Sequence, residues 1–280
     1  MKKKKLFTVL AIISFSVSVI FLLYPFASNC INQFFNRSKV ADYNKTVSTM
    51  SESEIDELFA AAIDYNKRLA ERVTSDKELF SYEHTTGEYL NILNFDDGQI
   101  GNIEIPTINV NLPIYHGTSE KVLEKGAAHL PDTSLPIYGE SVHSVISAHT
   151  AFPGKVFFDD LEKLETGDYF YVTVLNKKLK YEICRRDIVE PEDTRLLQIQ
   201  NGENYVTLMT CYPYAVNSHR LLLRGKLIDT EDINLSVAAE QSDEQSVDLT
   251  LIITATVFIT LLIAACVVGY IIMKRKKAKK

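Results

Sequence analysis

Two long apolar runs, one near each end, constrain this chain more than any other feature. Leu6 to Pro25 carries no charge and follows Lys2 to Lys5, while Leu249 to Met273 carries no charge and runs into Lys274-Arg275-Lys276-Lys277-Ala278-Lys279-Lys280. As helices, both runs are long enough to cross roughly 30 Å of hydrocarbon. Each basic cluster abuts the outer end of its run. The positive-inside rule then puts both termini in the cytoplasm and everything between them outside. A cleaved signal peptide is the alternative for the first run, but its apolar stretch exceeds an ordinary h-region and no A-x-A site follows. Ala27-Ser28-Asn29-Cys30 has Asn29 where a lipoprotein box wants a small residue. The sequence thus predicts a basic tail and anchor over 1–28 and a second transmembrane helix with a basic tail over 249–280.

Charge divides the same way. The two ends hold 10 of the 30 Lys and Arg, so the middle sets 20 basic residues against all 36 Asp and Glu, a net −16. Phosphate affinity depends on clustered basic charge, so nucleic acid is excluded as a partner. Basic or neutral partners, lysine-bearing ones included, fit this sign. Of the four cysteines, Cys30 and Cys266 belong to membrane or juxtamembrane sequence, leaving Cys184 and Cys211 for the exported part. A Cys184–Cys211 disulfide is open in an oxidising compartment. No CxxC pair or His/Cys cluster has metal-ligand spacing, so a zinc site is not expected.

About 220 residues lie between the runs, enough for one domain and an appendage. Residues 45–75 read as helix: Ser51-x-x-Glu54 is a capping box, and Ile55, Leu58, Phe59, Ala62, Leu69 and Val73 fall mostly on one face. Residues 76–98 are polar, with Gly87 and Asp96-Asp97-Gly98 as turn signals. Short β-rich runs then follow: Ile100 to Ile105, Val110 to Tyr115, Val142 to Ser147, Tyr169 to Leu175, Leu179 to Ile188, Tyr205 to Cys211 and His219 to Ile228. One helical insert, Ser119 to Lys125, interrupts them. Seven or eight strands at this spacing predict a mainly β domain, a closed barrel or a sandwich. The organisation expected is a helical extension over 29–98, a β domain over 99–228 and an acidic linker over 229–248.

Cys211 ends a predicted strand, where side chains reach a rim. A thiol attacks a carbonyl only as thiolate, so it needs a base nearby. His149 closes the run Val145-Ile146-Ser147-Ala148 and can share that rim. Arg220 opens the strand after the Cys211 loop, and its guanidinium is always charged and donates in a planar fork. Spacing alone leaves choices open. His84, His116, His129, His143 and His219 compete with His149, Arg224 competes with Arg220, and an exported cysteine can be an ordinary core residue.

Thr207-Leu208-Met209-Thr210-Cys211 resembles the TLxTC signature of sortases, with Asn217-Ser218-His219-Arg220 bearing the following arginine and Ser147-Ala148-His149 resembling the histidine segment. The likeness extends through Ile103-Glu104-Ile105-Pro106, Leu112 to Ser119 and Ala128-His129-Leu130, covering Tyr89 to Ile228. Two membrane runs and a helical extension are similar to class C, the pilin-polymerising sortases of Gram-positive bacteria. The resemblance implies an eight-stranded closed β-barrel. It also implies a transpeptidase in which Cys211 cleaves an LPxTG-like sorting signal between Thr and Gly and holds the fragment as a thioester. His149 would be the acid/base partner, and Arg220 would stabilise oxyanion or substrate. A pilin lysine would resolve the thioester. A surface-protein substrate joined to a peptidoglycan amine, or an inactive membrane-tethered assembly module, are the alternatives. Class C sortases carry a lid with an Asp-Pro-aromatic motif. No proline lies between Pro25 and Pro106, and Asp76 and Phe80 are the candidate substitutes for that motif.

Overall fold

The computed structural model describes the backbone of residues 2–75 and 87–233, with some side chains in the first helix and at the end of the second outside the description. Two helices come first, α1 (Lys2–Ser48) and α2 (Glu52–Ser75). The single helix expected from residue 45 is therefore two, broken at Thr49–Ser51. The capping box explains the break. Ser51 N–H donates to Glu54 Oε2 at 2.8 Å, and Glu54 N–H donates to Ser51 Oγ at 3.3 Å, so orphan amides of the new first turn are satisfied. These bonds hold the Glu54 carboxyl below its ordinary range.

The expected face of α2 is the buried one. Ile55, Phe59, Ala62, Tyr65 and Leu69 follow one another at steps of three and four and are all buried. Burying the Ile, Phe and Leu side chains contributes about 1.5–3 kcal/mol each, and the Ala62 methyl less. Asn66 lies on this face and is equally buried. It donates through Nδ2 to Leu135 O at 2.9 Å and accepts from Leu135 N–H at 2.8 Å, clamping α2 to a barrel loop. Tyr43 does the same for α1, donating to Ile100 O at 2.9 Å and accepting from Leu175 N–H at 2.8 Å. Burial pushes its phenol well above the ordinary range.

A short helix α3 (Gly87–Asn91) precedes the strands β1 (Gln99–Ile105), β2 (Val110–His116), β3 (Ala127–His129), β4 (Val142–Ser147), β5 (Tyr169–Val174), β6 (Lys177–Val189), β7 (Asn204–Tyr212) and β8 (His219–Asp232). Helix α4 (Glu120–Leu123) lies between β2 and β3. The strands close into one barrel in the order β1-β2-β3-β4-β7-β8-β6-β5. Closure is through the β1–β5 pair, where Asn102 faces Thr173. Neighbouring Gly101 is required there, because a Cβ would stand 2.1 Å from Thr173 O. Inside, Phe170 stacks on Tyr181 at 5.3 Å and 11°. The β2–β3 and β4–β7 pairs are parallel and the others antiparallel.

Three differences from the sequence reading follow. Strand β3 was not expected: at three residues it is too short to show alternation. Strand β8 runs past Ile228 to Asp232, in register with Lys177 and closed by a Lys177–Asp232 ion pair, so the first residues of the expected linker are ladder. The third concerns the membrane. Among the described residues no helix is long and apolar enough to cross one. The two transmembrane helices are thus not part of the described fold: 249–273 lies outside the description, as do several side chains of the first run.

Candidate active site

The parallel pairing of β4 with β7 brings distant sequence to one rim. Val142 faces Asn204 and Ser147 faces Met209, the same offset throughout. The pairing continues past β4 as Ala148 N–H donates to Met209 O at 3.2 Å and Thr210 Oγ1 donates to Ala148 O at 2.8 Å. His149 is therefore level with Cys211. On the other side, antiparallel β8 sets Arg220 opposite Cys211. All three residues line a single cavity of about 760 Å³, with Leu90 of α3, His116 of β2 and Ser119 ahead of α4 among its other walls.

Cys211 is half-buried and free. The disulfide left open above does not form. Cys184 sits on β6, separated from β7 by β8, and donates to Arg224 O at 3.4 Å. His149 stacks on Phe152 at 5.1 Å and 26°, which fixes the plane of its ring. Its Nε2 is shielded from water without a hydrogen bond, and Glu120 Oε1 lies 3.6 Å away. The loop that follows is tied by Asp159, whose carboxylate accepts from Ala151 N–H at 2.9 Å and Phe157 N–H at 2.8 Å. Arg220 donates through Nη1 to His219 O at 3.1 Å, so its charge is held at the mouth of the cavity. The loop between β7 and β8 contains a cis Tyr212–Pro213 bond, and Ala215 and Asn217 adopt left-handed φ of 61° and 62°.

The competing residues have other work. His129 is fully buried: Nε2–H donates to Ser134 O at 2.8 Å, which leaves Nδ1 to accept from Tyr89 O–H at 2.8 Å. Desolvation pushes its pKa down to about 3. His143 donates from Nδ1 to Gln198 O at 2.8 Å and accepts from Thr207 Oγ1 at 2.8 Å, and burial lowers its pKa to about 4. Both rings remain neutral at physiological pH. His219 is exposed and bonds Ser218 at 2.9 Å. His116 lines the cavity, but its Nδ1 is engaged with Gly98 O at 2.9 Å. Arg224 faces Thr207, well down the barrel from Cys211, and is held over the Tyr205 ring with Leu196 O as acceptor. His84, Asp76 and Phe80 lie outside the described residues.

Sequence reasoning did not single out Glu120, Leu90 or Asp159 for the site. Each comes from a separate segment, and only tertiary structure places Leu90 in the cavity wall, Glu120 beside His149 and Asp159 under the loop that follows it. A cysteine, a histidine and a guanidinium on one half-buried rim can perform thiol-based acyl transfer: a nucleophile, a group to carry its proton and a fixed positive charge.

An eight-stranded barrel with this rim defines a cysteine acyltransferase of the sortase type. A Sortase domain model matches residues 103–228. The fold is similar to that of Streptococcus pneumoniae sortase C, at 41% identity over 70% of this chain and 100% of that one, with a TM-score of 0.63. It is also similar to Clostridium perfringens sortase C solved with a C-terminal cell wall sorting motif, at 40% identity over 69% of this chain and 98% of that one, with a TM-score of 0.60. Sortase D of Bacillus subtilis is 33% identical over 131 residues, 46% of this chain and 63% of that protein. The match thus spans less than two thirds of that curated relative. The chain belongs to the sortase family, whose members are cysteine transpeptidases.

Proposed function

We propose that this protein is a membrane-anchored transpeptidase that cleaves an LPxTG-like sorting signal between Thr and Gly and transfers the fragment to a pilin lysine. The observation that carries this reading is the convergence of Cys211, His149 and Arg220 on one cavity, set by the β4–β7 and β7–β8 registers. In this mechanism the Cys211 thiolate attacks the Thr carbonyl carbon, Arg220 stabilises the oxyanion, and His149 hands a proton to the departing glycine amine as the C–N bond breaks. The lysine amine then attacks the thioester, giving an isopeptide bond and returning the thiol. Two features favour the pilin reading: the likeness to sortase C structures, one described with its pilin substrate specificity, and a net −16 on the segment between the ends, which suits a cationic acceptor. The apolar runs at 6–25 and 249–273 support anchoring at both ends, with both termini cytoplasmic and the barrel outside.

The test is intact mass spectrometry of the full chain incubated with an LPxTG-type peptide. The expected result is a peptide adduct on Cys211 that is absent from Cys211→Ala and passes to a lysine of an added pilin domain. Passage only to a peptidoglycan amine would replace pilin polymerisation with wall attachment. A freely reactive Cys211 that forms no adduct would sink the sorting-signal reading.

A further inference from the structure

One carboxylate lies beside the histidine. Glu120 opens α4, and its Oε1 lies 3.6 Å from Nε2 of His149. That nitrogen is shielded from water and has no hydrogen-bond partner among the described residues, although the His149 side chain is 22% exposed. The solvent-facing part of the ring is therefore not Nε2. Phe152 stacks on the ring and sets its plane, but a stacked ring can still flip and exchange its two nitrogens. A polar partner on one nitrogen removes that freedom. The Glu120 side chain is 70% exposed and unconstrained enough to close the few tenths of an ångström to hydrogen-bond distance.

We propose that Glu120 is the positioning residue of His149. Its carboxylate accepts Nε2–H, which fixes the tautomer and leaves the Nδ1 lone pair as the nitrogen that does proton transfer. The proton of the Cys211 thiol moves to Nδ1, giving an imidazolium whose Nε2–H faces the carboxylate. As the thioester C–S bond forms and the peptide C–N bond breaks, the same proton passes from Nδ1 to the leaving amine. Glu120 touches neither substrate nor thiol. This assignment rests on the cysteine–histidine chemistry proposed above.

Two measurements on the full chain test it. The first uses ¹⁵N-histidine labelling, with His149→Gln to assign the resonances. The expected wild-type ring is the Nε2–H tautomer, and in Glu120→Ala the two tautomers mix. The second is peptide cleavage by Glu120→Ala, Glu120→Gln and Glu120→Asp. The expected kcat falls roughly tenfold for Ala, well short of the loss from a buried orienting carboxylate, with KM and melting temperature unchanged and partial recovery in Asp. A kcat for Glu120→Ala within about twofold of wild type, or an unchanged tautomer, overturns the proposal. If the wild-type chain never turns over the peptide, the sorting-signal reading has failed instead, and the ring tautomer alone decides the role of Glu120.

Discussion

Thr210 donates its hydroxyl hydrogen to the carbonyl of Ala148 at 2.8 Å, joining the residue before Cys211 to the residue before His149. Both Thr210 and Ala148 are buried, so this bond fixes how the two strand ends lie against each other away from water. Thr210→Val keeps the volume and removes the donor, leaving the Ala148 carbonyl buried and unpaired. The expected cost is about 1–3 kcal/mol by denaturant unfolding. Peptide cleavage should fall by more than the loss of folded protein explains, because a small misplacement of reacting groups is costly. Thr210→Ser should recover most of both. An active Thr210→Val would mean the backbone pairing alone holds the register.

Arg220 makes its recorded hydrogen bonds only to carbonyls of its own loop, so its removal should spare the fold. Arg220→Ala is expected to lower kcat by about 10²–10³, the range for loss of one oxyanion donor, with a melting temperature near wild type. Arg220→Lys should recover little, since a point charge does not reproduce a planar fork. Steady-state kinetics of the three proteins with one peptide decides this. A lysine variant at near wild-type rate would reduce the role of Arg220 to charge alone.

Acid should destabilise this barrel early, through histidines rather than carboxylates. The folded pKa values of His129 and His143 are lowered to about 3 and about 4, while the unfolded chain takes up a proton on each near pH 6.5. Below pH 6.5 the unfolded state therefore binds more protons, so stability falls as pH falls and levels only near the folded values. The slope is up to about 1.4 kcal/mol per pH unit for each ring. Unfolding free energy measured between pH 4 and 7 should show uptake of at least about two protons near pH 5, since burial lowers His116 as well. His129→Gln should remove about one of them. The lowered carboxyls of Glu54, Glu88 and Asp193 act in a more acidic window, where their stabilisation is lost as pH falls through their folded values. A flat profile from pH 4 to 7 would show that the rings titrate normally.

Tyr43 tests the docking of α1. Tyr43→Phe keeps the ring but leaves Leu175 N–H without its acceptor, at an expected cost of about 1–3 kcal/mol in unfolding free energy. Cleavage by the folded fraction should be unchanged, because Tyr43 does not line the cavity. A cost below about 0.5 kcal/mol would mean water replaces the hydroxyl.

Much of the barrel was legible because each long strand carries its own pattern. Ile103 and Ile105 alternate inward on β1, and Val206 and Leu208 do so on β7, within runs bounded by Gly, Pro and Asn. Strand β3 was not legible: Ala127–His129 is held by its neighbours and has no periodicity of its own. The break at Thr49–Ser51 was half legible, because the capping box marked a helix start but not that the preceding helix would stop just short of it. For the site, a motif pointed to Cys211, His149 and Arg220 while spacing left five other histidines open. What closes two of those six choices is burial: His129 and His143 spend their ring nitrogens on internal bonds, and that is a property of the folded interior. Glu120 gave no signal, since a glutamate opening a short surface helix looks the same in sequence whether or not a histidine lies beside it.

The parallel pairing of β4 with β7 has a consequence for when the protein becomes competent. Parallel neighbours end at the same rim, so Cys211 and His149 meet as soon as β7 docks, yet the guanidinium comes from β8, the last strand of the barrel in chain order. A nascent or truncated chain ending before Arg220 can hold a thiol beside an imidazole but has no fixed charge opposite them. On the mechanism proposed above, acyl transfer then waits for the final strand, and the three site residues come together in the same event that seals the barrel.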